Sequence, residues 1–166
     1  MATKHDFHKL IIGRTELLSF PGLDLHAIAA KTDTGANRSA IHATNIKLGK
    51  DGVLRFDLLS GHYLGDAYAR HIETKDFTVV SVENSFGTRE KRYQVKLRTK
   101  LGPKVFTTCF TLANRAKKIC PILIGCTMLD DRFLVDTSMA TVDIQGLRLQ
   151  YGLDTVDETD ATMAGS

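Results

Sequence analysis

The chain has 166 residues, 43% of them hydrophobic and 25% charged, with a formal net charge of +3 and a pI near 8.8. That suits one globular domain and excludes a disordered chain. The charge is too small and too scattered for a nucleic-acid-binding domain, and no apolar stretch approaches membrane-spanning length.

Most apolar stretches are short, rich in Val, Ile, Phe, Leu and Thr, and broken by Gly, Asn or Asp, which is strand punctuation. Residues 1–8 are polar and lack the apolar run of a signal peptide, so a cytoplasmic location is expected. Strands are predicted over 25–31, 41–48 and 53–59, the last two separated by the turn Gly49-Lys50-Asp51-Gly52. Residues 76–83 and 89–99 flank a hairpin tip, Asn84 to Thr88, with Phe86 and Gly87 at its centre. Leu101-Gly102-Pro103-Lys104 reads as a second turn, and 105–112 alternates as a strand with one buried face. Pro121 to Gly125 is an apolar strand that ends on a glycine, and 126–131 suits one short helix. Residues 133–135 and 140–149 are expected to be extended, and 154–166 to form a disordered acidic tail. Many short strands with turns between them predict a closed all-β domain over 11–153, preceded by a 1–10 N-terminal segment.

Cys109, Cys120 and Cys126 form an odd set without C-x-x-C spacing, which argues for reduced thiols rather than a disulfide framework or a cysteine zinc site. The basic clusters Arg89 to Arg92 and Arg115 to Lys118 read as solvated surface.

The segment with the most chemistry is Lys31-Thr32-Asp33-Thr34-Gly35-Ala36. Asp33 can serve as a general base towards water, and the Thr34 hydroxyl can brace the turn. Gly35 lets an N–H approach the carboxylate, and Ala36 is small enough for tight packing. An isolated Asp-Thr-Gly is weak evidence, because a plain turn uses the same residues. Its meaning changes when Ile122-Leu123-Ile124-Gly125 follows a β-rich stretch with a central hairpin.

That layout resembles one lobe of the retropepsin-like aspartic peptidases. A closer similarity rests on Ile12-Gly13-Arg14, Lys31 to Ala36, Ser39-Ala40-Ile41-His42-Ala43, Ser85 to Tyr93, and Leu123-Ile124-Gly125 followed by Arg132 to Asp136. In that order they resemble a bacterial family labelled ATP-dependent zinc proteases and called RimK-associated, because it neighbours glutamate-adding ligases. The resemblance spans about residues 11–138. It implies an all-β, closed retropepsin-like barrel of a single lobe with one short helix after Gly125, and peptidase activity. The implied catalytic residues are Asp33, Thr34 and Gly35. The implied substrate contacts are Ala36, Arg38, Phe86, Gly87 and Ile124, and the ligase neighbourhood suggests glutamate-rich tails as substrate. Two positions depart from the family pattern: Cys126 replaces an arginine after the apolar-Gly strand, and Asn37 precedes Arg38 where a basic residue usually follows Asp-Thr-Gly-Ala.

No cofactor is expected, since zinc enters only through the family label. There is no H-E-x-x-H and no phosphate-binding glycine loop. His26, His42, His62 and His71 lack ligand spacing, and His42 merits the most attention because it lies just beyond the Asp-Thr-Gly loop. Acid proteolysis needs two carboxylates sharing a proton. Asp136-Thr137-Ser138 copies the motif without its glycine, and one lobe cannot hold two sites. The expected partners are therefore a second copy, in a homodimer with Asp33 from each subunit, and a peptide or protein substrate. The alternatives are a non-catalytic binding or regulatory module on the same fold, and a zinc-dependent peptidase.

Overall fold

The computed structural model describes residues 8–84 and 86–153. The expected acidic tail, most of the N-terminal segment and Ser85 of the hairpin tip lie outside the described residues. The described residues form eleven strands: β1 (Leu10–Ile12), β2 (Thr15–Phe20), β3 (Leu25–Thr32), β4 (Ser39–Leu48), β5 (Leu54–Leu58), β6 (Arg70–Thr74), β7 (Phe77–Glu83), β8 (Arg89–Leu101), β9 (Lys104–Ala113), β10 (Ile122–Ile124) and β11 (Phe133–Val135). Helix α1 (Cys126–Leu129) follows Gly125 as predicted, and α2 (Ile144–Gln150) closes the described chain.

The main sheet runs β10-β3-β2-β8-β9-β4-β5-β6, with β7 paired to β8. Because β10 also pairs with β4, the path from β10 through β3, β2, β8, β9 and β4 returns on itself. The all-β expectation therefore holds, and its closed part is this ring. Phe20, Phe56, Phe110, Leu18, Ile28, Ile41 and Ile122 fill the interior with no exposed surface. Burying each such side chain stabilises by about 1.5–3 kcal/mol before ordering costs. β5 and β6 extend beyond the ring after a register shift in β4 between Thr44 and Lys47, where Asn45 takes a left-handed φ of 53°.

Three strands, β1, β2 and β6, were not marked by pattern. β1 is only three residues long, and β6 (Arg-His-Ile-Glu-Thr) carries polar groups because its partners across β5 are charged. Residues 144–150 correct the extended reading of 140–149. Ile144, Leu147 and Arg148 sit on one face at helical spacing, and the Asp143 side chain caps the first turn by accepting the Gln145 N–H.

Candidate active site

The site is built where β3 ends. Thr32 is held on two sides: its N–H donates to the Arg14 carbonyl at 2.9 Å, and its hydroxyl donates to the Gly13 carbonyl at 2.9 Å. Gly13 has no room for a side chain, because a Cβ there would lie 2.5 Å from the Met139 carbonyl oxygen. The Asp33 N–H donates to the Ile124 carbonyl at 2.9 Å, so the apolar-Gly strand fixes the backbone of the aspartate. Gly35 then brings its N–H within 2.9 Å of Asp33 Oδ1. Among the described residues no group hydrogen-bonds the other carboxylate oxygen, and Asp33 lines a groove of about 1670 Å³. One oxygen is thus anchored while the other stays available for chemistry.

Gly125 passes directly beneath this loop. Its N–H donates to the Ser39 hydroxyl at 3.0 Å, and the next two amides donate to the Ala36 and Asn37 carbonyls at 2.8 and 2.9 Å. The Cys126 thiol lies 3.1 Å from the Thr34 carbonyl, so the residue that departs from the family pattern still braces the loop. All three cysteines are free.

The expected substrate contacts separate into groups. Ala36 and Arg38 line the groove with Asp33. Arg38 also donates to the Gln94 side chain at 2.9 Å, and Gln94 reaches Thr78, which ties the loop to the β7–β8 hairpin. Ile124 does not line the groove: its side chain is fully buried in the core, and Leu123 faces the groove instead. Strand alternation explains the exchange. Ser81 to Asn84 and Arg92 of the hairpin form part of the wall, whereas Phe86 stands clear of it at 91% exposed. Asp136 does not line the groove; it is exposed after β11, with its carboxylate accepting the Ser138 N–H and hydroxyl at 2.9 and 2.6 Å. Those bonds hold the Asp136 carboxyl below its usual range.

Several groove residues escaped the sequence reading. Arg14, Lys31, Arg92, Arg115 and Lys118 line it with Arg38, against three carboxylates, Asp33, Glu83 and Asp143. Arg115 departs from the solvated-surface expectation, being partly buried where it lines the groove, whereas Lys118 lines the groove and is exposed as expected. Their only sequence signal was the local run of basic residues.

His42 is not a ligand candidate in this fold. It is buried, and both ring nitrogens meet backbone groups: the Arg115 N–H at 2.8 Å and the Ser60 carbonyl at 2.7 Å. Among the described residues no group of three or more His, Cys, Asp or Glu could hold a metal, so the zinc of the family label finds no fitting donor set. No described helix is long and apolar enough to cross a membrane.

His62 carries a pH prediction. Burial, then the nearby His42 and Arg115, hold its pKa below the ordinary 6.5, outweighing a hydrogen bond to the Lys118 carbonyl that acts the other way. The unfolded chain therefore binds more protons below about pH 6.5, and stability falls as pH drops through that window. Exposed His71, paired with Asp57 and Glu73, is shifted upward and acts with the opposite sign. Urea midpoints of a His71→Gln chain should fall between about pH 7.5 and pH 5.5; a flat midpoint refutes the assignment.

Residues 11–145 match the family model for the RimB-like, retropepsin-like aspartic endopeptidase RimB. A probable alpha-L-glutamate ligase of Desulfotalea psychrophila is 31% identical over 136 residues, which cover 81% of this chain and 29% of that protein. One from Shewanella pealeana is 32% identical over 136 residues, covering 79% and 29%. The chain thus spans less than a third of the length of these relatives. A solved structure from Legionella pneumophila, of a protein of unknown function, superposes with a TM-score of 0.62 at 30% identity, covering 79% of this chain and 95% of that one. With its fold, its Asp-Thr-Gly loop and the apolar-Gly strand beneath it, the chain belongs to the RimB-like family of retropepsin-like aspartic endopeptidases.

Proposed function

We propose that the protein is an aspartic peptidase that hydrolyses glutamate-rich protein tails, with a water activated between the Asp33 carboxylates of two subunits. The observation that carries this reading is the Asp33 carboxylate, anchored through one oxygen by the Gly35 N–H and set in a large groove. In the shared-proton pair, the ionised carboxylate takes a proton from water as it attacks the peptide carbonyl. The protonated partner donates to the carbonyl oxygen. Six cations against three carboxylates along the groove favour an acidic substrate. The glutamate ligases among the relatives point to the same chemistry, since a hydrolase paired with a ligase would remove what the ligase adds.

The dimer face that suits this reading is the two-stranded β1–β11 sheet. Its directly paired Ile11 and Leu134 are 61% and 46% exposed, and β1 leads straight into the Gly13–Arg14 segment that holds Thr32. Mass spectrometry of a substrate protein carrying an oligoglutamate tail should show stepwise loss of glutamate. An excess of Asp33→Asn chain should suppress wild-type turnover by forming mixed dimers. A strict monomer by sedimentation at assay concentration, together with full activity, would sink the dimer.

A further inference from the structure

The loop between β9 and β10 carries Arg115 and Lys118 into the groove, and two buried histidines hold it there. His42 on β4 is 0% exposed, with Nδ1 accepting the Arg115 N–H at 2.8 Å and Nε2 against the Ser60 carbonyl at 2.7 Å. An acceptor at Nδ1 and a donor at Nε2 define one neutral tautomer. His62, 5% exposed, repeats the arrangement: Nδ1 accepts the Leu64 N–H at 3.2 Å, and Nε2–H donates to the Lys118 carbonyl at 2.7 Å. The two rings lie 5.9 Å apart, so one imidazole pair secures both ends of the 115–118 turn. Within the turn, the Lys118 N–H donates to the Arg115 carbonyl at 3.0 Å.

Arg115 is held more firmly than a surface arginine. Its Nε and Nη2 both donate to the Cys120 carbonyl, at 3.3 and 3.2 Å. No carboxylate pairs with it among the described residues. Partial burial works against its charge, and the carboxylate that supports it through space is Asp33. A desolvated cation without an anion is costly to keep, and an anionic ligand in the groove offsets that cost. A rigid guanidinium also suits carboxylate recognition, because little side-chain freedom remains to be lost on binding.

We propose that Arg115 and Lys118 form a carboxylate-binding subsite that selects acidic side chains of the substrate, and that His42 is the residue positioning Arg115. This rests on the peptidase reading above and adds which residues recognise the tail. Cations three residues apart on one turn can engage separate carboxylates of an oligoglutamate chain. The neutral imidazoles set the backbone from which both project.

Binding can be read without turnover in an Asp33→Asn chain, using fluorescence anisotropy with labelled hexaglutamate and hexaglutamine. Hexaglutamate should bind preferentially, and its affinity should fall with added salt. Arg115→Gln and Lys118→Gln should each weaken it by about tenfold and leave hexaglutamine binding unchanged. Among the described residues the Lys118 side chain makes no hydrogen bond or ion pair, so that variant should fold even if the other does not. His42→Leu should lose the preference for hexaglutamate, whereas His42→Asn, which keeps an acceptor near the Nδ1 position, should restore it. The proposal is overturned if Arg115→Gln and Lys118→Gln both bind hexaglutamate within about twofold of their parent. It is equally overturned if the parent does not distinguish the two peptides. Tail cleavage by the otherwise wild-type chain that is indifferent to Arg115→Gln and Lys118→Gln removes the subsite and leaves the peptidase. The expected binding pattern without any cleavage removes the peptidase and leaves the subsite.

Discussion

An Asp33→Asn chain should lose turnover by at least about 10³-fold while keeping the fold and the oligomeric state of the wild type. The amide is nearly isosteric with the carboxylate, and its oxygen can still accept the Gly35 N–H now held at 2.9 Å. The Asp33 N–H bond to Ile124 belongs to the backbone and is untouched. What disappears is the group that accepts and returns a proton, and in a homodimer it disappears from both subunits at once. The measurement is kcat on an oligoglutamate-tailed protein beside a thermal melt. Turnover within about tenfold of wild type would place the chemistry elsewhere. A chain that binds its ligand with and without this substitution, and never turns it over, would be a binding module on the same fold.

The fold was legible because its two diagnostic segments are local. Lys31 to Ala36 needs a strand, a carboxylate and a glycine in immediate succession, and Ile122 to Gly125 needs an apolar strand that stops on a glycine. Each can be recognised without knowing the other's position, and their pairing through the Asp33 N–H and the Ile124 carbonyl is what the structure adds. The groove was less legible because it is assembled by closure. Arg14, Lys31 and Lys118 meet around one space only after β10 inserts between β3 and β4. A basic run such as Arg115 to Lys118 carries no sign of which face it will take. That orientation depends on two histidines, His42 and His62, from a different part of the chain. The resemblance implied a substrate contact at Ile124, but strand parity turns that side chain into the core and gives the groove side to the adjacent Leu123. Helix α2 was missed because Val142 with Ile144, and Leu147 with Leu149, each alternate locally, while the deciding cap from Asp143 lies outside that pattern.

Gly125→Ala should be the most destabilising single methyl addition near the site. A Cβ there would lie 2.5 Å from both the carbonyl carbon and oxygen of Arg38 and 2.9 Å from the Ser39 nitrogen. These are backbone atoms, so no rotamer change can relieve the clash. The loop cannot retreat freely either, because the Gly125, Cys126 and Thr127 amides bind Ser39, Ala36 and Asn37. Overpacking of this kind costs about 2–4 kcal/mol, which for a chain of this size lowers the melting temperature by roughly 5–15 °C. Gly49→Ala is the matched control. Its added Cβ would meet the Asp51 and Arg55 side chains, which form an exposed ion pair and can swing aside. An exposed pair of this kind adds little to stability, so that chain should melt close to wild type. The two variants also separate stability from catalysis. Any retreat of the loop from Gly125 moves Ala36 and Asn37, and through them the Asp33 carboxylate. Gly125→Ala protein assayed well below its melting temperature should therefore still turn over more slowly than wild type. If its kcat matches wild type there, the strand beneath the loop supports only the fold, and Asp33 keeps its position through the Gly35 and Ile124 bonds alone.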